Sequence, residues 1–495
     1  MLKRLSYDVL YETHPEDYAL KDAPVRVLQF GEGNFLRGFV NYFIDILNEK
    51  TGFKGKVTVV QPIAAGLASM LNEQEGLYTL YLRGMENGEK VNRRRVISCI
   101  DSALNPYTEF DAFLQTAHNP DLRFIASNTT EAGIVYSEED AFDDKPQNSF
   151  PAKLTRLLYE RFTAFSGDKG KGLVILSCEL IDNNGAELKK CVEKTARRWA
   201  LGEDFFTWLS EANVFCSTLV DRIVTGYPRA EAAALCEENG YEDKLFNTAE
   251  VFGFWVIEGP GSIARELPFE QAGLPVIVVD DHTPYKKRKV RILNGAHTSM
   301  VPAAYLAGQE IVRDCMYDDQ IGSFLRRAVY DEIIPTLTLQ KEELEEFAAA
   351  VTERFKNPYI DHQLLSITLN SVSKWRARVL PSVTEYAAKF GKLPRLLTFS
   401  FAALMQFYTI TAEVDGKYYG TREGRQYEIL DDAAALKLCA RISGDTDGYL
   451  RVFLREKNFW GVELSDIPGF EQQVRNDLVL IREKGMKEAL ATVLG

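Results

Sequence analysis

The sequence has no run of about 18 apolar residues, so no transmembrane helix is expected. Its opening, MLKRLSYDVLYETHPEDY, has two early cations but no apolar stretch behind them, and no secretory signal is expected there. Sulfur is sparse and scattered. The 7 cysteines (Cys99, Cys178, Cys191, Cys216, Cys236, Cys315, Cys439) are odd in number and never form a C-x-x-C pair. That pattern favours reduced thiols in a cytoplasmic protein over a disulfide framework or a zinc knuckle. Histidine is scarcer, with 5 in the chain. His14, His118, His282 and His362 have no partner at ligand spacing, and the consecutive Asp280, Asp281 and His282 rarely converge on one ion, so no metal site is expected. Positive charge is in deficit as well. With 58 Lys and Arg against 71 Asp and Glu the net charge is −13, which argues against a nucleic-acid partner. A small anionic substrate stays open, because one or two local arginines overrule the global field.

What is present belongs to a folded soluble protein: 46% hydrophobic and 26% charged residues. At 495 residues the chain exceeds one ordinary core, and two or three domains are expected. The first half alternates β-rich runs with helical stretches, which predicts an α/β domain with a mainly parallel sheet. The strands fall at Val25–Phe30, Val57–Gln61, Arg123–Ser127, Leu173–Ser177 and Val276–Asp280. After the first, FLRGFVNYFIDILNE sets Leu36, Phe39, Phe43 and Leu47 on one helical face. Asn87-Gly88 between YTLYLRG and VNRRRVISCI predicts a hairpin inserted in the sheet. From about Tyr285 helical patterns dominate, so residues 1–284 and 285–495 are expected as an α/β and a mostly α-helical domain. No polar linker separates them, and a cleft between them is the expected active site.

Two segments carry chemistry. Gly31-Glu32-Gly33-Asn34-Phe35-Leu36-Arg37 follows a strand and opens a helix. Gly31 suits the tight turn and Gly33 a close backbone approach to a pyrophosphate, with helix N–H groups facing its charge. Leu36 stands where the full G-x-G-x-x-G has its third glycine, so an ordinary strand–helix turn is the competing reading. The acidic residue expected about 20 positions further on is missing. Gln61 stands there, able to bond a hydroxyl, and Ile63–Gln74 contains no Arg or Lys for a 2′-phosphate, which favours NAD over NADP.

The second segment is Lys289-Val-Arg-Ile-Leu-Asn294-Gly-Ala-His297. In a helix turning about 100° per residue, His297 lies near 80° and Asn294 near 140° from Lys289, all on one side. Reduction of a carbonyl without a metal needs a proton donor and groups that stabilise the developing alkoxide. A desolvated lysine supplies the first and an asparagine amide the second. A surface lysine, a helix-interrupting Asn-Gly and a core histidine form the bland alternative.

Taken together, the motifs resemble the long-chain mannitol dehydrogenase family of polyol and uronate dehydrogenases over nearly the whole chain. The marks are Gly31-x-Gly33-x-Phe35-x-Arg37, Ser177-Cys178-Glu179 with Asn184-Gly185, Val220-Asp221-Arg222-Ile223, Trp255-Val256-Ile257-Glu258, K-x4-N-x2-H, and Ser373-Lys374 followed by Arg378. The resemblance implies a Rossmann-type N-terminal domain, a helical substrate domain and a metal-independent reaction with NAD. It makes Lys289 the acid–base, Asn294 and Asn184 oxyanion donors, His297 a substrate contact and Asp221 a supporting polar group. Gly31, Gly33, Asn34, Phe35, Arg37 and Gln61 are the expected cofactor contacts; Gln61 departs from the acid found there in the mannitol enzymes. A uronate carboxylate needs a paired cation, for which Arg378 is the first candidate and Arg376 the second. Competing readings are the same chemistry on fructuronate or a neutral polyol, an NAD-binding regulator without turnover, and a metal-dependent uronate isomerase or epimerase. An intact Lys289–Asn294–His297 set counts against the regulator, and the lack of ligand-spaced His and Cys against the isomerase.

Overall fold

The computed structural model describes residues 2–130 and 132–495. The chain forms two compact units: the part up to Arg83 with Val91–His282, and Gly84–Lys90 with Thr283–Gly495.

The first unit is built on eight strands: Val25–Phe30 (β1), Lys56–Val60 (β2), Ile100–Leu104 (β3), Phe124–Ser127 (β4), Val174–Ser177 (β5), Val214–Asp221 (β6), Phe254–Glu258 (β7) and Val276–Val279 (β8). Their spatial order is β3-β2-β1-β4-β5-β6-β7-β8. The first six run parallel, β7 is antiparallel to β6, and β8 is parallel to β7. The run 3-2-1-4-5-6 is the doubly wound dinucleotide-binding order, and it reverses between β1 and β4, where the loops leaving the two strands diverge and open a crevice. Helices cover both faces, so the central strands are apolar on both sides. Val27 joins the cluster of Phe39, Phe43, Leu47 and Trp255, whereas Leu28 and Phe30 join that of Leu154, Leu157, Leu188 and Trp208.

Five of these strands are the expected ones, within a residue or so at each end. β3, β6 and β7 are not foreseen. β3 is an edge strand, buried at Ile100 and Ala103 but open at Asp101, and β6 carries Cys-Ser-Thr in its centre. Neither pattern resembles an apolar run. The hairpin Tyr78–Glu86 and Glu89–Ile97 forms, with Asn87 at φ 53° and Gly88 at φ 81°. It is not inserted in the main sheet, however. It pairs with Asn247–Glu250 in a separate three-stranded sheet. The helix after β1 bears its expected face, with Leu36, Phe39, Phe43 and Leu47 all buried, but it breaks at Phe39 into Asn34–Gly38 and Val40–Lys50. Gly38 fits there because a β-carbon would meet both Val224 methyls at 3.0 Å.

In the second unit the expected helical stretches form Gly295–Leu306, Asp319–Arg327, Lys341–Phe355 and Arg395–Phe407. The stretch HQLLSITLNSVSKW splits into Leu364–Thr368 and Ser371–Arg378 at Asn370, which adopts φ 56°. An unforeseen three-stranded sheet, 412–429, interrupts the helices.

Close packing of the helix Asn184–Arg198 on β6 sets a sharp demand at Gly185, where a β-carbon would collide with the Cys216 carbonyl. Gly185→Ala is expected to cost about 1–3 kcal/mol of first-unit stability, read as a lowered urea midpoint.

Candidate active site

At the end of β1 the two glycines have different reasons to be glycine. Gly31 sits at φ 118°, and a β-carbon there would lie 3.0 Å from Leu36 Cδ1 and 3.1 Å from the Asn128 carbonyl oxygen. The fold itself demands that residue. Gly33 has an ordinary φ of −64° and would meet no protein atom within 4 Å. It is the N-cap of Asn34–Gly38 and offers no side-chain cap to the first N–H groups of the helix. A pyrophosphate fits this arrangement: donors without a cap, beside a residue that places no side chain in the way.

The surrounding side chains fix the turn. Gln29 Nε2 donates to the Gly31 carbonyl (2.9 Å), and Asn41 Nδ2 donates back to Gln29 Oε1 (2.8 Å). Arg37 is buried, with its guanidinium donating to the Glu32 and Leu245 carbonyls and to Asn34 Oδ1. It braces the loop from beneath, and each of its three nitrogens is engaged. Phe35 is half-buried and stacks on Phe39, while Asn34 is exposed. Gln61 is also turned inward. Its Nε2 donates to the Ile63 and Ala64 carbonyls and its Oε1 accepts from Ala68 N–H, so its amide shapes the loop after β2.

Asn184 requires a revision. Its Nδ2 donates to the Glu179 and Thr218 carbonyls at 2.9 and 3.1 Å, and its Oδ1 accepts from Gly185 and Thr218 N–H. Both amide hydrogens are spent tying β5 to β6, which leaves neither for a substrate oxygen. Glu179 is buried, accepting from Ser127 Oγ, Thr129 N–H and Thr129 Oγ1, and burial raises its carboxyl above the usual range. Asp221 is buried at the end of β6. The sequence also treats His282 as isolated, yet its backbone N–H and Nδ1 both meet Glu258 Oε2, and one ligand atom each of Glu258, Asp281 and His282 lie within 4.8 Å of one another. Glu258 comes from β7, 24 positions away, which local spacing does not disclose.

In the second unit the helix entering the K-x4-N-x2-H segment changes pitch. Thr283–Arg288 is α-helical, Lys289–Asn294 forms a π-turn, and Gly295–Leu306 is α-helical again. A π-turn closes i→i+5 hydrogen bonds, so residues five apart share a face. Lys289 and Asn294 are five apart. The regular-helix angle near 140° is therefore an overestimate, and the extra residue brings the two side chains closer in azimuth. The segment Ser371–Arg378 packs against this turn: a β-carbon on Gly295 would lie 3.1 Å from the Arg378 carbonyl oxygen.

His297 stacks on Phe355 at 4.0 Å between ring centroids, with His362 edge-on at 5.6 Å. Burial, reinforced by His362, Arg354, Arg378 and Lys374, lowers its pKa to about 3, and its Nε2 has no hydrogen-bond partner. The ring is thus a neutral hydrogen-bonding group, not an acid. His362 and Lys374 are pushed down too, mainly by burial. Sequence spacing missed His362, because 65 residues separate it from the ring it touches. Arg378 is partly buried, which lowers its pKa, and among the described residues its guanidinium has neither a hydrogen bond nor an ion pair. Arg376, two residues earlier and so on the other side of the helix, is exposed and directed to Asn458 and Gly461.

A doubly wound sheet with a glycine turn at its reversal point, and a helical unit bearing a lysine–asparagine turn, define a class of two-part dehydrogenases. This chain belongs to the mannitol dehydrogenase family: the mannitol dehydrogenase Rossmann domain matches residues 25–271 and the C-terminal domain residues 281–481. It is 49% identical over 482 residues to altronate oxidoreductase of Escherichia coli O7:K1, covering 96% of this chain and 98% of that protein. The Shigella flexneri altronate oxidoreductase matches to the same extent. Among solved structures, substrate-free D-sorbitol dehydrogenase has a TM-score of 0.81 at 23% identity, covering 99% of this chain and 100% of that one. Pseudomonas fluorescens mannitol 2-dehydrogenase, in a ternary complex with NAD and D-mannitol, has a TM-score of 0.66 at 22% identity and 99% coverage of both chains. Those two likenesses establish the fold.

The depressed pKa of His297 has a consequence for stability. Unfolding releases an imidazole that binds a proton below its ordinary value of 6.5, whereas the folded ring refuses one down to about 3. Stability from this group is present above pH 6.5 and is lost as the pH falls. The urea midpoint should drop between about pH 7.5 and about pH 5, and by less in His297→Gln. Equal drops would show that the ring titrates normally.

Proposed function

We propose that this chain reduces the ketone of D-tagaturonate to D-altronate with NADH and catalyses the reverse oxidation with NAD. The observation that carries the reading is the π-turn Lys289–Asn294 packed against a helix whose Arg378 guanidinium is desolvated and, among the described residues, unpaired. The name of the relatives at 49% identity, altronate oxidoreductase, supports the substrate class.

The first unit binds the cofactor through the uncapped helix start after Gly33 and the turn set by Gly31. When bound, the dihydronicotinamide supplies a hydride. In reduction the Lys289 ammonium gives its proton to the substrate oxygen, and the Asn294 amide donates a hydrogen bond to that oxygen as charge builds. In oxidation neutral Lys289 accepts the hydroxyl proton. His297, held neutral, offers Nε2 to a substrate hydroxyl and moves no proton. Arg378 takes the uronate carboxylate with two parallel hydrogen bonds. Lysine and asparagine thereby supply the electrophilic assistance that a zinc ion supplies elsewhere, and no metal is needed. Seven free thiols suit a cytoplasmic, reducing compartment.

Lys289→Ala is expected to bind NADH normally and to lose about 10²–10⁴ in turnover, with EDTA present throughout and without effect on the unmutated enzyme. Near-normal kcat in the variant would remove Lys289 as the acid, and metal-restorable loss in EDTA would overturn the metal-free mechanism. For the carboxylate, Arg378→Met should raise KM for tagaturonate by more than tenfold, since breaking such a pair costs about 2–5 kcal/mol. Its preference for tagaturonate over the uncharged tagatose should narrow accordingly. Proportional loss on both sugars would mean that another cation reads the acid.

A further inference from the structure

The missing acid at the end of β2 has a substitute close by. β1 and β2 run in register, with Phe30 opposite Val60 and Gly31 N–H bonded to the Val60 carbonyl. The residues that follow each strand therefore emerge side by side: Glu32 from one, Gln61 and its loop from the other. A β-carbon on Gly66 would run into Glu32 Oε1 and into the Gln61 amide, so carboxylate and amide converge on one α-carbon of the loop after β2. Glu32 is 8% exposed and its Oε2 has no hydrogen-bond partner. The cation that bears on it is Arg37, whose three nitrogens are already engaged. Burial accordingly raises the Glu32 carboxyl above its ordinary range.

We infer that Glu32 reads the adenosine ribose diol of the cofactor and excludes a 2′-phosphate. The inference rests on the NAD reading above and supplies a determinant that Gln61, spent on its own loop, does not. A carboxylate only accepts hydrogen bonds, and a vicinal diol offers two O–H donors. A buried acceptor without a donor is costly, and a diol relieves that cost. A phosphate on the same sugar brings a second negative charge into a site without a free cation, since Ile63–Gln74 has neither Lys nor Arg. The exposed Ile63–Gly66 segment lies against the carboxylate and is anchored through Gln61.

The test is fluorescence titration of the full-length protein, E32Q and E32D with NADH, NADPH and 2′-deoxy-NADH, with melting temperatures in parallel. Unmutated protein is expected to bind NADH at least about tenfold tighter than either analogue, the scale of one hydrogen bond to a charged group. E32Q should lose about tenfold on NADH and little on NADPH, whereas E32D, which keeps the charge, should still reject NADPH. Equal binding of NADH and 2′-deoxy-NADH by the unmutated protein overturns the inference without any variant. So does a parallel loss of NADH and NADPH affinity in E32Q, which would make Glu32 a prop for the loop. Failure of the unmutated protein to bind any of the three nucleotides would instead overturn the NAD reading, and this inference with it.

Discussion

One additional residue in one helical turn organises the second unit. An α-helix through Lys289–Asn294 would set the lysine and asparagine about 140° apart; the i→i+5 turn brings them closer in azimuth. Such a turn has poorer internal geometry than an α-helix, so it persists where its surroundings hold it. Here Arg291 is anchored to Ser382 Oγ at 2.8 Å and to Glu385 at 3.0 Å, Ile292 is fully buried, and Gly295 lets the helix Ser371–Arg378 approach closely. The helix carrying Arg378 is thus held against the turn carrying Lys289 by backbone contact, and the spacing of their chemistry follows from that contact.

A comparable economy governs the first unit. Gly31, Gly38, Gly66 and Gly185 are each sites where another part of the chain comes too close for a side chain. Through these approaches the helix after β1 settles beside the Val224 segment, Glu32 beside the β2 loop, and Asn184 between β5 and β6. Gly33 differs, because the protein leaves its side empty. Glycines that the fold needs and a glycine that the fold does not need are alike in the sequence. They separate only when their neighbours are known.

Charge around His297 is one-sided. His362, Arg354, Arg378 and Lys374 all act to keep it neutral, and a net charge of −13 over the whole chain does not alter this local cationic field. The local field is set by groups within a few ångströms, in a medium where water screens poorly, whatever the sign of the whole chain. It also separates two residues that spacing alone treats alike, since the His297 ring is held neutral by its surroundings.

The sequence by itself determined the class of the fold, the positions of five of the eight strands of the main sheet, the glycine turn and the lysine–asparagine–histidine segment. All of these rest on short-range rules: strand runs, turn residues and helical period act over a few positions. It could not determine that Asn184 spends both amide hydrogens on the backbone, that Arg37 and Gln61 brace loops, or that Arg378 and not Arg376 stands unpaired among the described residues. Nor could it join Glu258 to His282, His362 to His297, or Glu32 to the β2 loop. Each of those facts depends on which hydrogen-bond partner or neighbouring charge arrives from a distant segment. Only tertiary packing decides that, because a side chain's free donors and its effective charge are properties of its surroundings and not of its place in the chain.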